Sequence, residues 1–120
     1  VGLCAGEASH QGHTVILYGD CPLLTTATIS RLVAAQQAHG SAATVVTTIL
    51  DNPFGYGRIL RGSDGGVVAI VEEKAATPEQ RAVREINSGI YCVKSDLLWK
   101  YVAAIRPNAV TGEVYLTDLV

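Results

Sequence analysis

Asp20 is the residue of this sequence best placed to do chemistry. It follows the run Thr14-Val15-Ile16-Leu17-Tyr18 and Gly19, and Pro22 stops the run from continuing. An apolar run of that length without alternation predicts a strand buried on both faces, as in a parallel sheet under helices. In open α/β sheets, ligands bind beyond the carboxyl ends of the strands. A carboxylate there can hold Mg²⁺ against a substrate phosphate, because Mg²⁺ prefers hard oxygen ligands and few protein contacts. Gly19 lets a flat or bulky ligand approach the backbone. The structural alternative is that Asp20 only caps the loop before Pro22.

Three other strings carry polar groups where apolar ones would be ordinary. Gly55-Tyr56-Gly57-Arg58 follows Asn52-Pro53 and reads first as a tight turn; its functional reading is a backbone-lined wall for a sugar or base. Glu72-Glu73-Lys74 follows an apolar run. A solvated charge cluster is the default there, and a functional Glu72 would accept hydrogen bonds from sugar hydroxyls. Asn87-Ser88-Gly89 interrupts an otherwise apolar strand pattern. A buried Asn must have its amide satisfied, by a polar ligand or by a neighbouring loop. Gly89 inside a strand marks a close approach of backbone or ligand. His10 and His13 lie three apart, but Gln11-Gly12 does not support a helix that would bring them together. Neither a dinucleotide fingerprint nor a P-loop is present.

The elements that must position these residues form an α/β order. Thr25 to His39 has helical spacing and a Gly40 stop, with Thr25 or Thr26 as the cap. Ala42 to Leu50 is a Val- and Thr-rich strand. Strand, helix, strand predicts a right-handed βαβ unit with parallel strands. Arg58–Arg61 and Val67–Val71 flank Gly62-Ser63-Asp64-Gly65-Gly66 and predict an inserted hairpin. Thr77-Pro78-Glu79-Gln80 opens a short helix through a capping box, ending near Glu85. Ile86 to Val93 is a further strand, Ser95 caps a helix with Leu97, Leu98, Tyr101 and Val102, residues 112–115 are extended, and Thr117-Asp118 starts another helix.

Composition narrows the function classes. The 120 residues are 48% hydrophobic and 17% charged, enough apolar material for a packed core. A net charge of −2 gives no basic excess for nucleic acid. No run approaches a membrane span, and no signal-peptide order is visible. Three widely spaced cysteines suit neither a disulfide framework nor a zinc site, so a reduced, cytoplasmic protein is expected. The chain starts at Val1, contains no Met and ends at Val120 in an apolar segment, so a fragment of a longer protein is expected.

The order of the strings is more specific than any one of them. Leu17-Tyr18-Gly19-Asp20-Cys21-Pro22-Leu23, then Asn52-Pro53-Phe54-Gly55-Tyr56-Gly57-Arg58-Ile59, Val71-Glu72-Glu73-Lys74 and Ala76-Thr77-Pro78-Glu79-Gln80-Arg81 occur in sequence. Glu85-Ile86-Asn87-Ser88-Gly89-Ile90-Tyr91 and Gly112-Glu113-Val114-Tyr115-Leu116-Thr117-Asp118 follow. Over residues 14–120 the chain resembles the uridylyltransferase domain of the bacterial bifunctional N-acetylglucosamine-1-phosphate uridylyltransferase/glucosamine-1-phosphate acetyltransferases. The resemblance implies an incomplete Rossmann-like nucleotide-diphospho-sugar transferase fold with a mixed sheet. The implied reaction forms UDP-N-acetylglucosamine and pyrophosphate from UTP and N-acetylglucosamine 1-phosphate with Mg²⁺. It implies Asp20 as the catalytic Mg²⁺ ligand and Tyr18 and Gly19 against nucleotide and sugar. It implies Gly57, Glu72 and Asn87 on the N-acetylglucosamine, with Glu113, Tyr115 and Thr117 lining the same pocket from the other side.

The resemblance also marks what residues 1–120 lack. No Gly-rich loop with its Arg and Lys matches in residues 1–13, and the family's second, Asn metal ligand would lie beyond Val120. Residues 1–120 are therefore expected to be a partial nucleotidyltransferase domain, inactive alone, with self-association through an exposed sheet edge. Two alternatives stand beside this reading. One is a non-catalytic sugar-nucleotide-binding or assembly module, and the other is a nucleotidyltransferase for another sugar 1-phosphate.

Overall fold

The computed structural model describes residues 10–107, 109, 112, 114 and 116–119. Five strands and three α-helices occur in the order β1 (His13–Ile16), α1 (Thr26–His39), β2 (Ala43–Ile49), β3 (Arg58–Arg61), β4 (Val67–Val71), α2 (Pro78–Arg81), β5 (Glu85–Lys94) and α3 (Ser95–Val102). Short 3-10 turns cover Glu73–Ala75 and Leu116–Leu119. The chain divides into two compact units, Val1–Val46 with Gly89–Ala104, and Thr47–Ser88 with Ile105–Val120.

In the first unit, β1 pairs antiparallel with β5, placing Val15 opposite Cys92. Successive backbone N–H groups of a strand point to opposite edges. The Lys94 N–H donates to the Ala42 carbonyl and the Ser95 N–H to the Gly12 carbonyl. β5 therefore lies between the β1 segment and the start of β2. β1 and β2 are thus separated by β5, which is antiparallel to β1 and, from the Lys94–Ala42 and Leu50–Arg84 backbone bonds, antiparallel to β2 as well, so β1 and β2 run parallel as expected without being neighbours. A propensity reading along the chain sees the strand–helix–strand order but not a strand that returns 40 residues on.

β1 also differs from expectation in burial. His13 is exposed, Thr14 to Ile16 are half-buried, and Leu17 and Tyr18 leave the strand exposed. The apolar run predicts a strand buried on both faces; Thr14, Val15 and Ile16, which alternate between the faces, are instead only half-buried. The core of this unit is Leu32 of α1 with Ile90 and Cys92 of β5, and Val15, Leu24, Val33 and Val46 around them.

Helix α1 has the predicted ends. The Thr25 hydroxyl accepts the Thr28 N–H, and Gly40 closes the helix in the left-handed region at φ 61°. Gln36 is fully buried; its Nε2 donates to the Ser41 carbonyl at 2.6 Å and its Oε1 accepts from Thr44 at 2.5 Å. This side chain ties the helix end to the start of β2.

In the second unit, β3 and β4 form the predicted antiparallel hairpin, with Arg58 opposite Val71. β3 also pairs antiparallel with β5 through Arg58 and Ile86. Ile59, Ile70, Ala76 and Ile86 are buried there. Helix α2 carries the full capping box between Thr77 and Gln80, with Pro78 in the first turn. It ends at Arg81 rather than near Glu85, because Glu85 already belongs to β5. Ser95 does not cap α3; Lys94 holds that position, and the Ser95 hydroxyl is hydrogen-bonded to that of Thr14 at 2.8 Å. Thr117-Asp118 lies within a 3-10 turn rather than opening an α-helix. Of the segment expected to be extended, Glu113 and Tyr115 lie outside the described residues.

Candidate functional site

Gly57 lies at a polar cluster in the second unit. The chain reaches it through a turn built by Asn52, whose side-chain oxygen accepts the Phe54 N–H, and by Pro53, whose carbonyl accepts the Tyr56 N–H. The string read as one tight turn thus divides in function. The turn is complete by Tyr56, and Gly57 is a point of close approach. A Cβ at Gly57 would stand 3.2 and 3.3 Å from the two carboxylate oxygens of Glu72 and 3.3 Å from Ile70 Cγ2. The Gly57 carbonyl accepts the Asn87 N–H at 2.9 Å. The Thr117 hydroxyl donates to Glu72 Oε1 at 3.2 Å.

Four residues named from the sequence are therefore brought together: Gly57, Glu72, Asn87 and Thr117. Glu72 and Asn87 are half-buried, and Thr117 is buried. Among the described residues the Glu72 carboxylate accepts a hydrogen bond from Thr117, and a carboxylate has further lone pairs that suit a hydroxyl-rich ligand. Glu113 and Tyr115 lie outside the described residues.

Tyr18, Gly19 and Asp20 belong to the first unit. All three are exposed. The Tyr18 ring lies over Gly89, whose φ is +76°. A Cβ there would fall 2.6 Å from Tyr18 Cζ and 2.8 Å from Cδ2, and nearer still to Cε2. The close approach expected at Gly89 is thus made by Tyr18. Among the described residues Asp20 accepts one long contact, from the Cys21 thiol, 3.9 Å to Oδ1. Among the described residues no three His, Cys, Asp or Glu side chains converge as a cation site. One exposed carboxylate fits Mg²⁺, which keeps most of its waters and takes phosphate oxygens alongside one or two protein carboxylates.

Sequence reasoning missed two residues. Arg58 is 2% exposed and donates to the Tyr56 carbonyl and, at 2.5 Å, to Glu73 Oε2. Glu73, read as part of a solvated cluster, is half-buried and also stands 3.7 Å from Arg81 Nε. The available signal was the hairpin register. With Arg58 opposite Val71 at the end of β4, the acids that follow Val71 come close to Arg58.

The family model described as nucleotidyl transferase matches residues 3–117. The chain belongs to that family. Curated relatives are bifunctional proteins GlmU. The one from Solibacter usitatus is 51% identical over 113 residues, 93% of this chain and 24% of that protein. The one from Geobacter metallireducens is 52% identical over 109 residues, 91% of this chain and 23% of that protein. The chain spans about a quarter of the length of the curated relatives it matches. Among solved structures, UDP-glucose pyrophosphorylase complexed with UDP-glucose matches with a TM-score of 0.71 at 12% identity, covering 98% of this chain and 46% of that one. At that identity the likeness is one of fold, and it establishes the α/β nucleotide-sugar transferase fold with a mixed sheet for this nucleotidyl transferase chain. The resemblance read from the motif order is borne out by the GlmU relatives. No described helix is long and apolar enough to cross a membrane.

Proposed function

We propose that this chain supplies the sugar side of a sugar-nucleotide pyrophosphorylase site, for the reaction of UTP with N-acetylglucosamine 1-phosphate to give UDP-N-acetylglucosamine and pyrophosphate. The observation that carries the reading is the cluster at Gly57, where the Glu72 carboxylate, the Asn87 segment and the Thr117 hydroxyl meet beside a position with no side chain. The N-acetylated sugar follows from the resemblance in motif order to the uridylyltransferase family, and the curated relatives are bifunctional proteins GlmU.

In this reading the Glu72 carboxylate accepts hydrogen bonds from sugar hydroxyls, which an ionised acid does more strongly than a neutral acceptor. Thr117 fixes one of its oxygens and so orients it. Gly57 lets the Glu72 carboxylate lie close against the backbone, and an Asn side chain is of the type that pairs with N-acetyl or hydroxyl groups. Such chemistry needs positioning: the sugar phosphate oxygen attacks the α-phosphorus in line and pyrophosphate leaves, with no covalent protein intermediate. Asp20 would hold Mg²⁺, which supplies neutralisation of phosphate charge when bound. Tyr18 and Gly19 offer an aromatic face and bare backbone to the nucleotide.

Equilibrium dialysis tests the reading with UDP-N-acetylglucosamine and UDP-glucose as probes. The acetylated compound binds better, and Glu72→Gln weakens it by about tenfold, the loss of one charge-assisted bond. Equal binding of both compounds would transfer the reading to a different sugar. No binding of either would end it.

A further inference from the structure

The functional reading uses Gly57 and Glu72, and each is followed by a charged residue that it leaves unexplained. Those two residues, Arg58 and Glu73, are bonded to each other. Arg58 lies in β3 with its guanidinium buried, and a buried cation requires a partner. It has two acceptors, the Tyr56 carbonyl and Glu73 Oε2, and its Nε has no hydrogen-bond partner among the described residues. Glu73 is gripped a second time by Arg81, whose Nε lies 3.7 Å from the carboxylate and donates to the Glu73 carbonyl at 3.2 Å. Two guanidinium groups therefore hold one carboxylate at the first residue of the 3-10 turn Glu73–Ala75.

That turn determines where Glu72 stands. Its first hydrogen bond runs from the Ala75 N–H to the Glu72 carbonyl at 3.0 Å. Glu72 itself is extended, with φ −66° and ψ 146°. The two side chains go to different partners, Glu73 to Arg58 and Glu72 to Gly57 and Thr117. With Glu73 drawn to Arg58, the Glu72 carboxylate is left facing Gly57 and Thr117. The pair 57–58 is thus fastened to the pair 72–73 by one ion pair and one close packing contact. Sliding one segment past the other would break both.

We infer that Glu73, held by Arg58 and Arg81, is a positioning residue that sets the Glu72 carboxylate against Gly57 for sugar recognition. The inference rests on the proposed sugar site but has a readout of its own. Glu73→Gln keeps the shape and an oxygen acceptor for Arg58 while removing the charge. Arg81→Gln is milder, since Arg81 is exposed, and it keeps the inference testable if Glu73→Gln folds poorly.

The experiment uses the full chain. Without ligand, the ¹³C signal of the Glu72 carboxyl and the amide signals of Gly57 and Thr117 are compared in native protein, Glu73→Gln and Arg81→Gln. All three move in Glu73→Gln, and they move less and in the same direction in Arg81→Gln. UDP-N-acetylglucosamine is then titrated into native protein, Glu73→Gln, Glu72→Gln and the double variant. Glu73→Gln binds about tenfold more weakly than native, within the range of coupled ion-pair networks. It adds nothing further in the Glu72→Gln background, because it acts through Glu72. Unmoved ligand-free signals in both variants overturn the inference, as does an undiminished loss in the double variant. Failure of native protein to bind overturns the functional reading instead, while the ligand-free signals still decide whether Glu73 positions Glu72.

Discussion

The ring of Tyr18 occupies the space that a side chain at position 89 would need. Gly89 sits inside β5 with φ +76°, and the ring crosses where its Cβ would be. Tyr18 is 58% exposed, so the ring is free to swing away if it is displaced. Gly89→Ala should therefore lose stability mainly through the left-handed backbone, by about 1–2 kcal/mol. That loss should appear equally in a Tyr18→Ala background by urea unfolding. The Tyr18 ring resonances should shift in the single variant. A stability loss that disappears with the tyrosine would show instead that the ring contact dominates.

Gly57→Ala inserts a methyl group against the Glu72 carboxylate and Ile70. Contacts near 3.2 Å require the neighbours to give by a few tenths of an ångström, so the stability cost is modest, about 1 kcal/mol. The effect on sugar-nucleotide affinity should be larger, about tenfold. Paired denaturation and binding measurements on the same variant check this ratio.

Gln36 has no solvent exposure and serves both Ser41 and Thr44. Gln36→Leu leaves a carbonyl and a hydroxyl without that partner, at a cost of about 2–3 kcal/mol. Adding Thr44→Val removes one of the orphaned groups and should recover part of the loss. The denaturant midpoints of the single and double variants give the answer.

Acid should weaken the chain partly through Glu85. The Arg61 guanidinium, bonding at 2.8 and 2.5 Å, and then the Thr47 hydroxyl hold the Glu85 carboxyl below its ordinary value of 4.5. A folded-state value below the unfolded one contributes stability that is complete above the unfolded value. It is lost as pH falls through the folded value. Glu85→Gln should be less stable at neutral pH and should lose less on acidification than native protein. Urea midpoints measured from pH 7 down to about pH 3 test the slope.

The sequence made the local features legible and left the long-range ones hidden. The Thr25 cap, the Gly40 stop, the Thr77–Gln80 capping box and the hairpin are all written within a few residues of one another. The position of β5 beside β1 is not, because pairing across some 80 residues leaves no local pattern. Four candidate residues met at Gly57 because their order resembled a known family, not because spacing predicted their contacts. Arg58 and Glu73 were hidden for a further reason: charged residues read as solvated until the strand register places one inside. β1, expected to be buried on both faces, is half-buried, because an apolar run has no period that shows how fully each face is covered.

The most direct test of the central claim is an amide NMR titration of UDP-N-acetylglucosamine into this chain in the presence of Mg²⁺. The account predicts saturable shifts centred on Gly57, Glu72, Asn87 and Thr117. A well-dispersed spectrum that stays unmoved at those residues would contradict it.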